Sequence, residues 1–214
     1  PFEVVNDGEV TALAGAMALG KNAVLGIALG TSTAAGYVTP EGNITSWLNE
    51  FAFVPVDYAP DSVCDEWSGD YGVGSQYFSQ QAVGRLLPAA GIEAPKDMPL
   101  PEKLKLVQAL MAEGDERARK IYQTLGVYLG YFIAHCTVFY DVQNVLVLGR
   151  VTSGTGGDLI FTTAQETLQS EFPNWGRQIE LHVPDEKMKR HGQAIAAASL
   201  PSLRRETCNG GVDA

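Results

Sequence analysis

Apolar and polar residues follow one another along the chain in patterns that define its first elements. The Ala-rich run 9–19 has apolar residues at helical spacing, and Asn6 or Asp7 is placed to cap it. Two apolar runs, 23–29 and 34–38, flank a turn of glycine and small hydroxyl residues and predict a β-hairpin. The chain is therefore expected to begin with a helix that leads into a hairpin.

The pattern further along the chain predicts more helices than strands. A third strand is predicted over residues 44–48, a central strand with both faces covered over 143–149, and a short strand over 178–183. His135 falls in the apolar half of the longest predicted helix and is expected to be a hydrogen-bonded core residue. The predicted helices are 76–90, 102–111, 116–139, 158–170 and 192–200. This order indicates an α/β domain with a hairpin start.

Composition adds limits on function. The chain has 214 residues, of which 45% are hydrophobic, which is enough for one large domain or two small ones. Its net charge is −10, and no run of Lys and Arg is long enough to form a basic face. We therefore expect no nucleic acid to bind through this region. Acidity does not argue against a phosphate ligand, because backbone N–H groups can supply a positive field locally.

The cysteines suggest a cellular compartment. Cys64, Cys136 and Cys208 are far apart and form no CxxC pair, which is typical of free thiols in a reducing environment. No apolar stretch is long and uninterrupted enough for a convincing membrane span, and no signal peptide is visible. A cytoplasmic protein without membrane contact is expected.

Two turns rich in glycine and hydroxyl residues carry the first hint of chemistry. The turn 30–33 follows the first predicted strand, and the turn 149–157 follows the central one. Glycine allows close backbone approach, and N–H and hydroxyl groups can hold phosphate oxygens. Taken alone, 30–33 is better explained as an ordinary hairpin turn, but ligands of open α/β sheets bind beyond strand ends. Two such turns in one domain therefore favour a phosphate site.

Glu50 is a candidate site residue because apolar residues follow it directly. Its carboxylate is either held close to the core, where it is paired or faces a cavity, or solvated at a strand edge, and the sequence leaves both open. Several familiar signatures are absent from the sequence, namely GxxxxGK[ST], GxGxxG and GxSxG. His135, His182 and His191 are too far apart to show the spacing of metal ligands.

Five segments match the motifs of one family in order and spacing. They are Val5-Asn6-Asp7 before an Ala-rich helix, Leu29-Gly30-Thr31, Asn49-Glu50-Phe51-Ala52-Phe53, Ser68-Gly69-Asp70-Tyr71-Gly72-Val73, and Val145-Leu146-Val147-Leu148-Gly149. The chain resembles the large C-terminal lobe of a ROK-family protein (repressors, open reading frames and sugar kinases) of the actin/hexokinase/Hsp70 superfamily. This resemblance implies a ribonuclease H-like α/β lobe over residues 1–201, with a mixed sheet and helices on both faces. Residues 202–214 are expected to form a flexible tail.

The resemblance implies ATP-dependent phosphorylation of a sugar hydroxyl, with Mg²⁺. Asp7 would be the catalytic base that takes the proton of the attacking hydroxyl, and Asn6 and Glu50 would hydrogen-bond to the sugar. The positions expected to bind the nucleotide and its phosphates are Gly30, Thr31, Ser32, Gly149, Arg150, Ser153 and Gly154. A homodimer is also expected. The family's small N-terminal lobe, which carries an Asp-x-Gly-Gly-Thr phosphate loop, is expected to be missing or nearly so from this sequence.

The chain departs from the family pattern at informative positions. The family's zinc ligands, one His and three Cys, fall on Phe53, Glu66, Ser68 and Val73, so we predict no structural zinc. A further Glu that contacts sugar falls on Ser75, and Arg150 replaces a glycine of the nucleotide turn.

These departures keep a second function open. A non-catalytic sugar-sensing regulator or a pseudokinase would tolerate them. The regulators carry a helix-turn-helix ahead of this region, and none is visible in this sequence. A third possibility is an unrelated α/β domain with coincidental turns. The matching register of Gly69, Gly72, Ser79 and Ala82 argues against it.

Overall fold

The computed structural model describes residues 5–45, 47–184 and 194–199. The predicted tail 202–214, part of the predicted helix 192–200, His191 and Cys208 lie outside these residues. In the described part of the chain, no helix combines the length and hydropathy that crossing a bilayer requires.

One mixed sheet forms the centre of the fold. Its strands are β1 (Val24–Leu29), β2 (Thr33–Val38), β3 (Asn144–Leu148) and β4 (Glu180–His182), in the order β2-β1-β3-β4. β1 pairs antiparallel with β2 through the predicted hairpin, whereas β3 runs parallel to both β1 and β4. The register places Ala28 beside Leu148, so β1 and β3 end at the same edge of the sheet. The prediction of a central strand after the long helix is confirmed.

Helices cover both faces of this sheet. They are α1 (Asp7–Leu19), α2 (Gln80–Ala89), α3 (Leu100–Ala112), α4 (Glu116–Cys136), α5 (Gly154–Glu171) and α6 (Pro173–Gly176), and residues 194–199 are also helical. Short 3-10 turns form at Phe51–Phe53, Gly74–Gln76 and Arg150–Thr152. The predicted α/β class is confirmed.

Side-chain alternation along the strands builds two separate cores. Val24 and Leu146 point to one face and pack with Ala12 and Leu13 of α1. Residues of the opposite parity, including Leu25, Ile27, Val145 and Val147, point to the other face and pack with α4 and α5. Each face therefore buries its own apolar layer under a helix, as a sheet with two covered faces requires.

Three local predictions are wrong. Of the predicted third strand 44–48, residue 46 lies outside the described residues, and residues 44, 45, 47 and 48 belong to no strand. Ile44 makes an isolated bridge with Val38. The helix predicted to start at residue 76 starts at Gln80, because Ser79 caps it and accepts a hydrogen bond from the Gln81 N–H. His135 is exposed rather than buried, because α4 presents Val127, Tyr131 and His135 to solvent along one stripe.

Candidate functional site

The start of α1 places Asp7 against the hairpin. Asn6 caps the helix through its Oδ1, which accepts from the Gly8 N–H at 2.8 Å. Gly8 touches β2 so closely that a Cβ there would lie 2.0 Å from the Ala35 carbonyl oxygen, so only glycine fits. Asp7 is exposed at the first position of the helix. The side chain of Asn6 is thus committed to the cap, next to the exposed carboxylate.

The hairpin turn is anchored from behind. The Gly30 N–H donates to the Ser32 carbonyl at 2.9 Å, which closes the turn, and the Gly30 carbonyl accepts from the Gln80 N–H at 2.9 Å. Thr33 donates its hydroxyl to the Phe78 carbonyl at 3.1 Å. Because the Gly30 N–H is used inside the turn, the groups left at its tip belong to Thr31 and Ser32, and both residues are exposed.

One pocket of about 370 Å³ collects several predicted site residues. Asp7 lies on its wall together with Glu50, and so does the whole tip of the hairpin, Gly30 to Ser32. The remaining lining residues are Ala28, Thr33, Ala34, Ala52 and Phe53. The two carboxylates and the hairpin tip come from three separate parts of the sequence, yet they line the same pocket.

The second glycine-rich turn lies beside this pocket. Gly149 has a φ of 115°, and a Cβ there would lie 2.3 Å from the Leu29 carbonyl oxygen, so the ends of β3 and β1 are in direct contact. Arg150 is exposed, and its carbonyl accepts from the Gln108 side chain at 3.1 Å. Ser153 and Gly154 are exposed where α5 begins. This turn shares the sheet edge with the hairpin tip but does not line the pocket around Asp7.

A larger pocket of about 530 Å³ lies elsewhere, against α4. Its walls are mainly aromatic and include Tyr58, Tyr131 and Phe132, and His135 also lines it. It contains no residue that the sequence predicted for the site, so size alone does not identify the candidate site.

A buried carboxyl group lies in the first turn of α1, two positions after Asp7. Glu9 is 4% exposed, and its Oε1 accepts hydrogen bonds from Asn49 Nδ2 and from Thr45 Oγ1. Asn49 Oδ1 in turn accepts from the Tyr140 hydroxyl at 2.6 Å. Burial raises the pKa of Glu9, and the side chains of Asn49 and Thr45 with the backbone of Tyr37 offset this only in part.

Sequence reasoning missed this cluster. Its signal was a charged residue on the apolar face of the first helix, in line with Ala12, Leu13 and Ala16. The pairing with Asn49 spans 40 residues and could not be read from local spacing.

A second buried carboxylate organises the loop where the family's zinc ligands fall. Asp65 accepts from the Ser75 hydroxyl at 2.9 Å, from Gln76 Nε2 at 2.8 Å, and from the backbone N–H groups of Ser68 and Trp67 at 3.0 and 3.2 Å. Burial alone would raise the pKa of Asp65, but these four donors together lower it to about 2. An ionised side chain thus holds the loop together.

Two of the positions on which the family's zinc ligands fall, Phe53 and Val73, are occupied by apolar packing. Phe53 stacks on Trp67 with ring centroids 5.3 Å apart, and Val73 is buried. Ser75 is 1% exposed and directs its hydroxyl to Asp65, not into the pocket. Residues 5–45, 47–184 and 194–199 contain no group of three or more His, Cys, Asp or Glu side chains that could hold a metal ion. The absence of structural zinc stays a prediction, which metal analysis of the purified protein can test.

Comparisons by sequence return nothing: no family model matches the chain, and no curated protein matches it significantly. Comparisons of structure do find relatives. A ROK family glucokinase from Streptomyces griseus, solved with glucose and AMPPNP, superposes with a TM-score of 0.73 at 20% identity, over 94% of this chain and 68% of the glucokinase. A ROK hexokinase from Thermus thermophilus gives a TM-score of 0.76 at 17% identity, over 97% of this chain and 67% of the hexokinase.

A transcriptional regulator shares the same fold. It is a ROK family homologue of the E. coli MLC protein, and it superposes with a TM-score of 0.70 at 19% identity, over 92% of this chain but 52% of the regulator. At these identities the likeness establishes the fold alone. The predicted resemblance to the ROK and hexokinase lobe is therefore confirmed at the level of the fold, for a chain that spans about half of the regulator and about two thirds of each kinase.

Proposed function

We propose that this chain forms the large lobe of a ROK-like sugar kinase, which transfers the γ-phosphoryl group of ATP to a sugar hydroxyl. The observation that carries the proposal is the shared pocket of Asp7, Glu50 and the turn Gly30 to Ser32. The folds of the glucokinase and the hexokinase support it. A cytoplasmic location and a homodimer remain predictions that accompany it.

Asp7 is the proposed catalytic base. Its carboxylate is exposed to the pocket, so a sugar hydroxyl can reach it and give up its proton as it attacks. Glu50 faces the same space and can accept a hydrogen bond from a second hydroxyl. Asn6, committed to the cap through Oδ1, keeps its amide N–H₂ for the sugar.

The hairpin tip is the proposed phosphate site. Thr31 and Ser32 are exposed there and can donate hydroxyl hydrogen bonds to phosphate oxygens, while Gly30 fixes the shape of the turn. We assign the rest of the nucleotide to the neighbouring turn, with Gly149, Arg150, Ser153 and Gly154. Mg²⁺ would neutralise charge on the phosphate oxygens, and its usual ligands are phosphates with one or two carboxylates. Asp7 and Glu50, the carboxylates of the pocket, are assigned to the sugar, so the phosphate oxygens would supply the Mg²⁺ ligands in this lobe.

A second candidate is a sugar-sensing regulator or a pseudokinase that binds ligand without turnover. The observation that favours it is the fate of Ser75, which stands where the family has a sugar-contacting Glu but is turned toward Asp65 and away from the pocket. Phe53 likewise brings an aromatic ring to the pocket wall where the family has a His. Both candidates predict sugar binding, and only the first predicts turnover of ATP.

The deciding experiment is an assay of the intact protein with ATP and a panel of hexoses and N-acetylhexosamines. We expect one sugar to be phosphorylated, and Asp7→Asn to lower kcat by about 10²- to 10⁴-fold while the protein stays folded. Glu116→Gln is the matched control, since it also replaces a carboxylate at the first position of a helix but lies at the start of α4. It should leave turnover unchanged.

The outcomes separate the two candidates. Turnover that survives Asp7→Asn contradicts the assigned base. Sugar binding without ATP turnover across the whole panel contradicts the kinase and supports the regulator.

A further inference from the structure

Glu9 is an unusual residue for the inside of a domain. The residue is 4% exposed, and its Oε2 is buried without a hydrogen-bond partner among the described residues. A carboxyl group with an unsatisfied buried oxygen costs stability in comparison with an apolar side chain of similar size. Stability alone therefore does not account for a glutamate on this face of α1.

The partners of Glu9 point to a different role. Asn49 Nδ2 donates to Glu9 Oε1 and also to Thr45 Oγ1, the latter at 2.8 Å. Asn49 Oδ1 accepts from Tyr140, so the amide of Asn49 is held from both of its ends. Asn49 is itself 4% exposed, which makes these bonds strong relative to bonds at the surface.

The two linked residues are sequence neighbours of the two pocket carboxylates. Glu9 lies two positions after Asp7, in the first turn of α1. Asn49 directly precedes Glu50, which leads into the 3-10 turn Phe51–Phe53. Glu50 lies in a segment without regular secondary structure, so no strand or helix ladder fixes its place relative to α1. The bond between Glu9 and Asn49 supplies that connection.

We propose that Glu9 is a positioning residue, which holds the segment of Asn49 and Glu50 against the first turn of α1 so that Asp7 and Glu50 face one pocket. This role in sugar binding rests on the proposed function. The mechanical part of it, the fixing of residues 47–53 by an acceptor on α1, does not.

Hydrogen exchange of the intact chain, followed by mass spectrometry, tests the mechanical part without any ligand. Glu9→Ala should raise amide exchange in residues 47–53 about tenfold, because the buried Asn49 amide loses its acceptor. Glu9→Gln keeps an acceptor oxygen and should stay within about twofold of the unmodified protein. Asn49→Ala should raise exchange in residues 47–53 as much as Glu9→Ala does. The double variant should raise it no further than either single variant.

Leu13→Ala is the matched control, because Leu13 is buried on the same helix but belongs to the apolar core. It should raise exchange in α1 and leave residues 47–53 unchanged. The proposal is overturned if Glu9→Ala leaves residues 47–53 unchanged, if Glu9→Gln exchanges as fast as Glu9→Ala, or if Leu13→Ala has the same effect on residues 47–53.

Assay of the same variants with ATP and the sugar panel tests the role at the site. Glu9→Ala should raise the KM for the phosphorylated sugar about tenfold, with rescue by Glu9→Gln, whereas Leu13→Ala should leave that KM unchanged. An unchanged KM in Glu9→Ala overturns the positioning of the sugar site. If the unmodified protein phosphorylates no sugar, the proposed function fails, while the exchange result still decides whether Glu9 fixes the segment.

Discussion

Glu9 and Asp65 are both almost fully buried acidic residues, at 4% and 3% exposure, but the surroundings of their carboxyl groups differ. Asp65 accepts hydrogen bonds from two side chains and two backbone N–H groups, and all of these donors lie within 11 residues of it. Glu9 receives its side-chain donors on one oxygen, from a segment 36 to 40 residues away, and its other oxygen has no hydrogen-bond partner in the described part of the chain.

This difference teaches what each carboxyl group does. Four donors stabilise the ionised form of Asp65, so its pKa falls to about 2 and the ion closes a local loop. Glu9 lacks that compensation, so burial raises its pKa and disfavours its ionised form. Asp65 therefore stabilises its own loop, whereas Glu9 lowers stability by its burial but connects two segments that are distant in the sequence, next to the pocket.

The largest effect that would sharpen this comparison is expected from Asp65→Ala. Removing the shared acceptor leaves Ser75 and Gln76 with buried donors unpaired, and we expect a loss of about 3 kcal/mol in the free energy of unfolding. Asp70→Ala is the matched control, because Asp70 is an exposed acidic residue of the same loop. Its free energy of unfolding should stay within about 0.5 kcal/mol of that of the unmodified protein. Urea denaturation measures both. A loss in Asp65→Ala no larger than that of the control would mean that Asp65 does not hold the loop.

A second test uses the opposite signs of the two pKa shifts. The folded pKa of Asp65 lies below its usual value of 3.8, so its contribution to stability is present above pH 3.8 and is lost as the pH falls through about 2. A shift of that size corresponds to about 2 kcal/mol. The folded pKa of Glu9 lies above 4.5, so its contribution is fully present below pH 4.5 and is lost as the pH rises through the folded pKa.

The measurement is urea denaturation between pH 2 and pH 8 for the unmodified protein, Asp65→Asn and Glu9→Gln. Relative to Asp65→Asn, the unmodified protein should gain stability as the pH rises from 2 to above 3.8. Relative to Glu9→Gln, it should lose stability as the pH rises from 4.5 toward neutral. If both stability differences changed with pH in the same direction, the proposed contrast between Asp65 and Glu9 would be contradicted.

Much of the fold could be predicted from the sequence, because its elements depend on local patterns. Asn6 caps α1 at the end that the sequence suggested, and the hairpin joins β1 to β2 as expected. The strand predicted over residues 44–48 failed because a strand needs a partner, and the apolar pattern does not say whether one is within reach. His135 was misplaced because the apolar residues around it include Tyr131 and Phe139, which are large but exposed.

Part of the candidate site could likewise be predicted from local motifs, and part of it could not. The motif order led to Asp7, Glu50 and the hairpin tip, and the structure brings these residues to one pocket. The connection between Glu9 and Asn49 has no motif, because it depends on two segments that meet only in the folded chain. Asp65 was missed because other acidic residues surround it in the sequence, and sequence does not distinguish a solvated carboxylate from one that accepts four hydrogen bonds.

The smallest expected effect comes from the far end of the Glu9 cluster. Tyr140→Phe removes the donor to Asn49 Oδ1 and should lower the free energy of unfolding by about 1 kcal/mol. Tyr77→Phe is the matched control, because its hydroxyl donates to Asp57 at 2.5 Å outside the cluster. If Asn49 couples Tyr140 to Glu9, the double variant Tyr140→Phe/Glu9→Ala should lose less unfolding free energy than the sum of the two single variants, by about 0.5 kcal/mol or more. For Tyr77→Phe/Glu9→Ala, the loss should equal the sum of the two single variants. Additive losses for Tyr140→Phe and Glu9→Ala would mean that Asn49 binds its two partners independently, and that Glu9 positions Glu50 without help from Tyr140.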